Sequence, residues 1–347
     1  MKDFYGRENG ANKNAYYLAV PLTGILLQIF MKRLIIENSH YPKEIPKNAS
    51  IFVAPNHESH PDPILVSYSL LIARRGTFLN FMSKLENFEN QFLGFSAEQL
   101  GAYSLDRSKT IDKQNFRHTK KLLDKGQNLL MFIEGTRTKD GNFGEPFPGL
   151  VKYATNAQKN NPQIPYFFQP VAITYKDHTE FIHDYFYTSR GRATHDKKSA
   201  LEWLRMIYSF VNSIEASVTF CKPIDVSSVI NLSASEITDR LLDSSKQNIK
   251  VYNDRIVSHA LLECGNDADY EKVCKVSENL RIKLYRAGAN LENHVRRESA
   301  GYGWILNELN SFEEKRIITS SDGKLFITPD TKHILEYKAN RIKHLVK

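Results

Sequence analysis

Between about Pro46 and Asp225, short apolar runs of β type alternate with stretches of helical periodicity. The β-type runs are 51–55, 77–82, 101–105, 129–134, 166–175 and 217–221, and the helical patterns are 63–73, 110–126, 149–160 and 199–214. Near-continuous apolar strands separated by helices predict an α/β fold, with a mostly parallel or mixed central sheet flanked by helices. Ligands of such sheets sit at the carboxyl ends of the strands, so the polar clusters just after the strands are where chemistry is expected.

The pattern differs on either side of this region. The first dozen residues are polar and predict a frayed segment. Asn14 to Met31 then runs without a charge, between Lys13 and the pair Lys32 and Arg33. The run is short for a spanning helix and carries Asn14, Pro21, Thr23, Gly24 and Gln28, and no small-residue cleavage pattern follows it. Paired tyrosines and flanking cations suit a helix at the headgroup level, and docking on the protein's own core is the alternative. After about Val226 the stretches 233–252, 254–263, 269–288, 296–312 and 330–347 read as amphipathic helices. A small hairpin is expected over 316–329, turning at Asp322-Gly323. The expected division is therefore 1–39, an N-terminal apolar helical segment; 40–228, the α/β domain; and 229–347, a mainly helical C-terminal subdomain.

Composition narrows this only a little. The three cysteines, Cys221, Cys264 and Cys274, are widely spread and fit a reducing compartment, with neither a disulfide framework nor zinc-site spacing. A net charge of +8 and a pI near 9.1 admit nucleic acid, an anionic membrane or acidic small molecules as partners. The absence of a Lys/Arg block with interleaved aromatics argues against nucleic acid.

Candidate chemistry begins with "PNHESHPD" (55–62), directly after an apolar run. His57 and Asp62, five positions apart, would point about 140° away from each other in a continuous helix. Pro61 and Pro63 break that backbone and predict a turn opening into a helix, with Pro63 near its first position. There Asp62 can accept from one imidazole nitrogen, leaving the other basic and outward. Spacing alone leaves His57 and His60 as alternatives. A second cluster, "FIEGTRTKDG" (132–141), places Glu134 at the end of a strand. Gly135 follows for a tight backbone, with Arg137 and Lys139 next as anion contacts. In "GAYSLDRS" (101–108), Arg107 is a further phosphate candidate. In "QPVAITY" (169–175), Pro170 within a strand predicts an edge or a bulge that shapes a pocket wall together with Val171.

In this order the four clusters resemble the blocks of the glycerolipid acyltransferase superfamily. Asn56, His57 and Asp62 match N-H-x4-D, and Gly101 with Arg107 matches the G-x5-R block. Glu134, Gly135, Thr136, Arg137 and Thr138 match E-G-T-R-[ST], and Pro170-Val171 the P-V block. The resemblance spans roughly residues 50–225. The H-x-S-H-x-D form, with Ser59 and His60, is similar to the glycerol-3-phosphate and dihydroxyacetone-phosphate branch, as is the C-terminal segment. Phe147 departs where that branch usually has lysine.

The resemblance implies acyl transfer from an acyl thioester donor, acyl-CoA or acyl-carrier protein, to a hydroxyl of glycerol 3-phosphate. Lysophosphatidate or dihydroxyacetone phosphate is the alternative acceptor. It implies His57 rather than His60 as general base and Asp62 as its orienting partner. Arg107, Arg137 and Lys139 would bind the acceptor phosphate, and Glu134, Gly135, Thr136, Ser59 and His60 would contribute to the substrate site. No metal and no cofactor beyond the thioester substrate is implied. The expected location is the cytoplasmic face of a membrane. A catalytically silent lipid-binding protein is the reading from a different class.

Overall fold

The computed structural model describes residues 4–59, 61–88, 91–105, 113–176, 215–296 and 301–346. Among these, eight strands form the central sheet: β1 (Arg33–Glu37), β2 (Ser50–Pro55), β3 (Leu79–Lys84), β4 (Ala102–Leu105), β5 (Asn128–Leu130), β6 (Tyr166–Lys176), β7 (Glu215–Phe220) and β8 (Ile224–Asp225). Their order is β1-β7-β6-β2-β5-β3-β4, with β8 beside β6. The run β6-β2-β5-β3-β4 is parallel throughout. β1 and β7 are parallel to each other but antiparallel to that run, joined through the β6–β7 ladder, and β8 also runs antiparallel to β6. The sheet is therefore mixed, as the apolar runs predict.

Helices cover both faces. α1 (Lys13–Phe30) and α2 (Asp62–Ala73) lie on one, followed in sequence by α3 (Gln91–Gln99). α4 (Lys113–Asp124), α5 (Val151–Asn160) and, later in the chain, α6 (Ala234–Asn248) cover the other. β2 shows why the run 51–55 has no polar positions. Ile51 and Val53 join the core under α2, and Phe52 and Ala54 join the core under α4 and α5. Each such large side chain, buried on either face, contributes about 1.5–3 kcal/mol relative to exposure.

The chain does not part at 228/229. Val226 and Val229 sit in a short helical turn, and α6 packs Ile237, Leu241 and Leu242 into the sheet's second core. A separate core begins near Ile249 and is built by α7 (Asn253–Cys264), α8 (Tyr270–Arg286), α9 (Gly303–Glu314) and α10 (Lys332–Asn340). The hairpin of Ile318–Ser321 and Lys324–Ile327 turns at Asp322 and Gly323, both with positive φ, as expected.

Several expectations need correction. The N-terminal residues are tied down: Tyr5 N–H donates to Ser104 Oγ at 2.7 Å, Ser104 N–H returns a bond to Tyr5 O, and Tyr5 stacks on Phe88. The run 129–134 is strand only as far as Leu130, because Phe132 and Glu134 turn away to serve His57. β1 and α3 were not foreseen; β1 offers only the short apolar run Leu34–Ile36 between charged residues, and α3 carries Gly94. Pro170 lies in an interior strand rather than at an edge. Its missing N–H falls where the antiparallel partner changes from β8 to β7, and Gln169 Nε2 bridges the gap to Cys221 O at 2.7 Å. The helical stretch expected at 199–214 lies outside the described residues.

Candidate active site

At the end of β2 the backbone ladder is continued by a side chain. Asn56 Oδ1 accepts from Ile173 N–H at 2.7 Å, and its Nδ2 donates to Ile173 O at 3.0 Å. The carboxamide satisfies β6 while its own backbone peels away, so the next residue leaves the sheet at a fixed point. That residue is His57.

Three contacts fix His57. Its N–H donates to Glu134 Oε1 at 3.0 Å, its carbonyl accepts from Thr138 N–H at 3.1 Å, and its ring stacks on Phe132 with centroids 3.8 Å apart. Nδ1 lies 2.8 Å from Asp62 Oδ2. A carboxylate only accepts, which assigns the hydrogen to Nδ1 and the lone pair to Nε2. The side chain is 17% exposed, and Nε2 takes no hydrogen bond among the described residues. α2 begins at Asp62 with Pro63 in its first turn, as the prolines predict.

Asp62 is fully buried and collects donors on both oxygens. Besides His57, Oδ2 accepts the N–H groups of Glu58 and Ser59, each at 2.8 Å, and Oδ1 accepts the hydroxyl of Tyr175. Burial first, then the Asp62 charge, pushes the Tyr175 hydroxyl well above its ordinary range, so it keeps the proton it donates to Asp62.

Behind this pair lies a buried charge cluster assembled from distant segments. Glu58 pairs with Arg341 at 2.5 Å and with Arg255 at 4.0 Å. Arg255 Nη2 donates to Tyr175 O at 2.6 Å, and Arg341 lies over the Phe143 ring. Burial pushes the Glu58 carboxyl up against the pull of both arginines; burial works to lower Arg341, and Glu58, Tyr337 and Glu134 together raise it. Glu134 is also pushed up by burial, although Arg341 and its N–H donors oppose this.

The expected site residues separate into groups. His57 and Asp62 meet, and Gly135, Thr136, Arg137 and Lys139 follow in the loop that Thr138 ties to His57. Gly135 has φ +67 and its N–H closes a turn on Phe132 O, while Thr136 and Lys139 are exposed and Arg137 is half-buried. Glu134 is not a ligand-facing group: its carboxylate is buried and holds the backbones of His57 and Gly144. Ser59 is likewise buried and contributes its N–H to Asp62. Pro170 and Val171 are core residues under the end of β2, and full burial removes Val171 from any pocket wall. Arg107 and His60 lie outside the described residues. Tyr175, Phe132, Glu58, Arg255 and Arg341 were not anticipated. Glu58 was visible only as one acid in a crowded stretch, and no spacing connects residue 58 to 255 or 341.

The Acyltransferase family model matches residues 37–174, which contain β2, His57, Asp62 and the loop after β5. Glycerol-3-phosphate acyltransferase of Histophilus somni is 27% identical over 201 residues, covering 57% of this chain and 24% of that protein. The enzyme of that name from Haemophilus ducreyi is 29% identical over 52% of this chain and 22% of its own length. That from Xylella fastidiosa is 30% identical over 39% and 16%. The chain thus spans a quarter or less of these relatives. Among solved structures, the 1-acyl-sn-glycerophosphate acyltransferase PlsC of Thermotoga maritima aligns at TM-score 0.44 and 17% identity, over 67% of this chain and 79% of that one.

Proposed function

We propose, on the premise that residues 37–174 are an acyltransferase domain of the glycerolipid acyltransferase superfamily, that the chain transfers a fatty acyl group from an acyl thioester to glycerol 3-phosphate. The observation that carries this reading is the His57–Asp62 contact at 2.8 Å, with Nε2 open at the carboxyl ends of parallel strands.

His57 Nε2 takes the proton of the acceptor hydroxyl as its oxygen attacks the thioester carbonyl carbon. The tetrahedral intermediate collapses with cleavage of the C–S bond, and the imidazolium returns its proton to the departing sulfur. An ester and a free thiol result. Asp62 faces the charge that develops on the ring. Arg137 and Lys139, on the loop tied to His57 through Thr138, bind the acceptor phosphate, together with Arg107. The apolar groove between α1 and α2, lined by Tyr16, Val20, Pro63, Ile64, Leu71 and Phe81, includes the residue next to Asp62 in the chain and takes the acyl chain.

No helix among the described residues is long and apolar enough to cross a membrane. α1 instead packs Tyr16 inward and leaves Tyr17, Leu18, Leu22, Ile25, Leu26 and Ile29 exposed on its other side, with exposed Lys13, Lys32 and Arg33 at its ends. That arrangement supports peripheral docking on an anionic membrane surface, and the three free cysteines fit its cytoplasmic side.

Feeding palmitoyl-CoA with glycerol 3-phosphate, dihydroxyacetone phosphate or lysophosphatidate, and following free thiol and lipid product, tests the reading. Glycerol 3-phosphate should give the fastest release, and His57→Ala should lower it by about 10²–10⁴-fold with an unchanged circular dichroism spectrum. Preference for lysophosphatidate would move the chain to that acceptor. Absence of thiol release with all three would make it a lipid-binding protein.

A further inference from the structure

The proposed mechanism needs Asp62 to keep one particular oxygen on His57. Its Oδ2 has three donors, the His57 ring and two backbone N–H groups, whereas the only hydrogen bond to Oδ1 among the described residues comes from the Tyr175 hydroxyl. The terminal torsion of an aspartate is broad, so the backbone donors on Oδ2 leave the carboxylate plane free to rock about that oxygen. The second oxygen needs its own donor if the plane is to stay aligned with the imidazole.

We propose that Tyr175 is a positioning residue for the His57–Asp62 pair, its hydroxyl fixing the carboxylate plane that presents Oδ2 to His57 Nδ1. This rests on the reading of His57 as the base. Tyr175 is itself held on every side. It shares the inward face of β6 with Val171 and Ile173, its ring is buried in the core beneath α2, and its carbonyl accepts from Arg255 at 2.6 Å. It lies one residue beyond the segment matched by the family model. On the same strand Tyr166 offers a control: its buried hydroxyl donates to Leu123 O at 2.8 Å, at the end of β6 away from Asp62.

Tyr175→Phe keeps the ring and removes the donor. It should lower kcat by about 10–100-fold, the range for losing one hydrogen bond to a charged group, with KM for both substrates within about twofold. In proton NMR the His57 Nδ1–H, identified by its loss in His57→Ala, should broaden or move in Tyr175→Phe and stay in place in Tyr166→Phe. Tyr166→Phe should lose thermal stability with kcat unchanged. A Tyr175→Phe enzyme that keeps kcat, or loses it with an unmoved resonance, overturns the assignment. Should that variant fail to fold, 3-fluorotyrosine at position 175 retains ring and hydroxyl and strengthens the donor, and an unmoved resonance then overturns it. If the unmodified protein transfers no acyl group, the functional reading fails, while the resonance still reports on Tyr175.

Discussion

Asn56 and Glu134 do with side chains what backbone does elsewhere in the sheet. Asn56 finishes the β2–β6 ladder, and Glu134 holds the N–H groups of His57 and Gly144. Both let an irregular segment pass through a buried region without stranding a polar group. Gly141 plays the converse part in the same loop. It has φ +86, and a Cβ there would stand 2.1 Å from Tyr337 O on α10. Strain and overlap together predict that Gly141→Ala costs about 2–4 kcal/mol in urea unfolding. A loss below about 0.5 kcal/mol would mean that loop and helix separate easily.

At the scale of elements, α1 is the one that faces two ways. Its inner side is anchored by Asn12 capping and by Tyr16 donating to Leu79 O at 2.9 Å. Its outer side offers two exposed leucines on adjacent turns, Leu18 at 79% and Leu22 at 57%. A double Leu18→Glu/Leu22→Glu variant should weaken partition onto anionic vesicles by about tenfold or more, from lost apolar burial and added repulsion. Binding equal to the parent in a vesicle co-sedimentation series would place membrane contact elsewhere. The uncharged run with cationic flanks made this helix legible, yet both sides of it are apolar, so periodicity could not say which side packs. Strand runs were legible for a related reason: β2 is buried on both faces, and from Ile51 to Pro55 it carries no polar side chain. What periodicity misread was the end of β5, where apolar Phe132 leaves the sheet to stack on His57. An aromatic that supports a side chain has the same hydropathy as one that fills a core.

Across the whole molecule, segments far apart in sequence converge behind one histidine. α7 delivers Arg255 and the residue after α10 delivers Arg341, both to Glu58. The motif 57–62 could be read from its histidine, aspartate and prolines because those residues are local. Its buried counter-charges could not, since an arginine carries no mark of the partner to which the fold will bring it. Arg341→Met removes one side of a fully buried pair and leaves Glu58 with Arg255 at 4.0 Å. The expected loss is about 3–5 kcal/mol in chemical denaturation, against less than about 1 kcal/mol for an exposed pair such as Lys332–Glu336. Equal losses at the two pairs would deny the buried cluster its role.

The arrival of Arg341 also sets an order of events during synthesis. His57 and Asp62 emerge from the ribosome early, whereas the guanidinium that backs their turn follows about a quarter of a minute to a minute later, at roughly 5–20 residues per second. Until then Glu58 has no Arg341 to close on, and a nascent chain holds the base without its finished support.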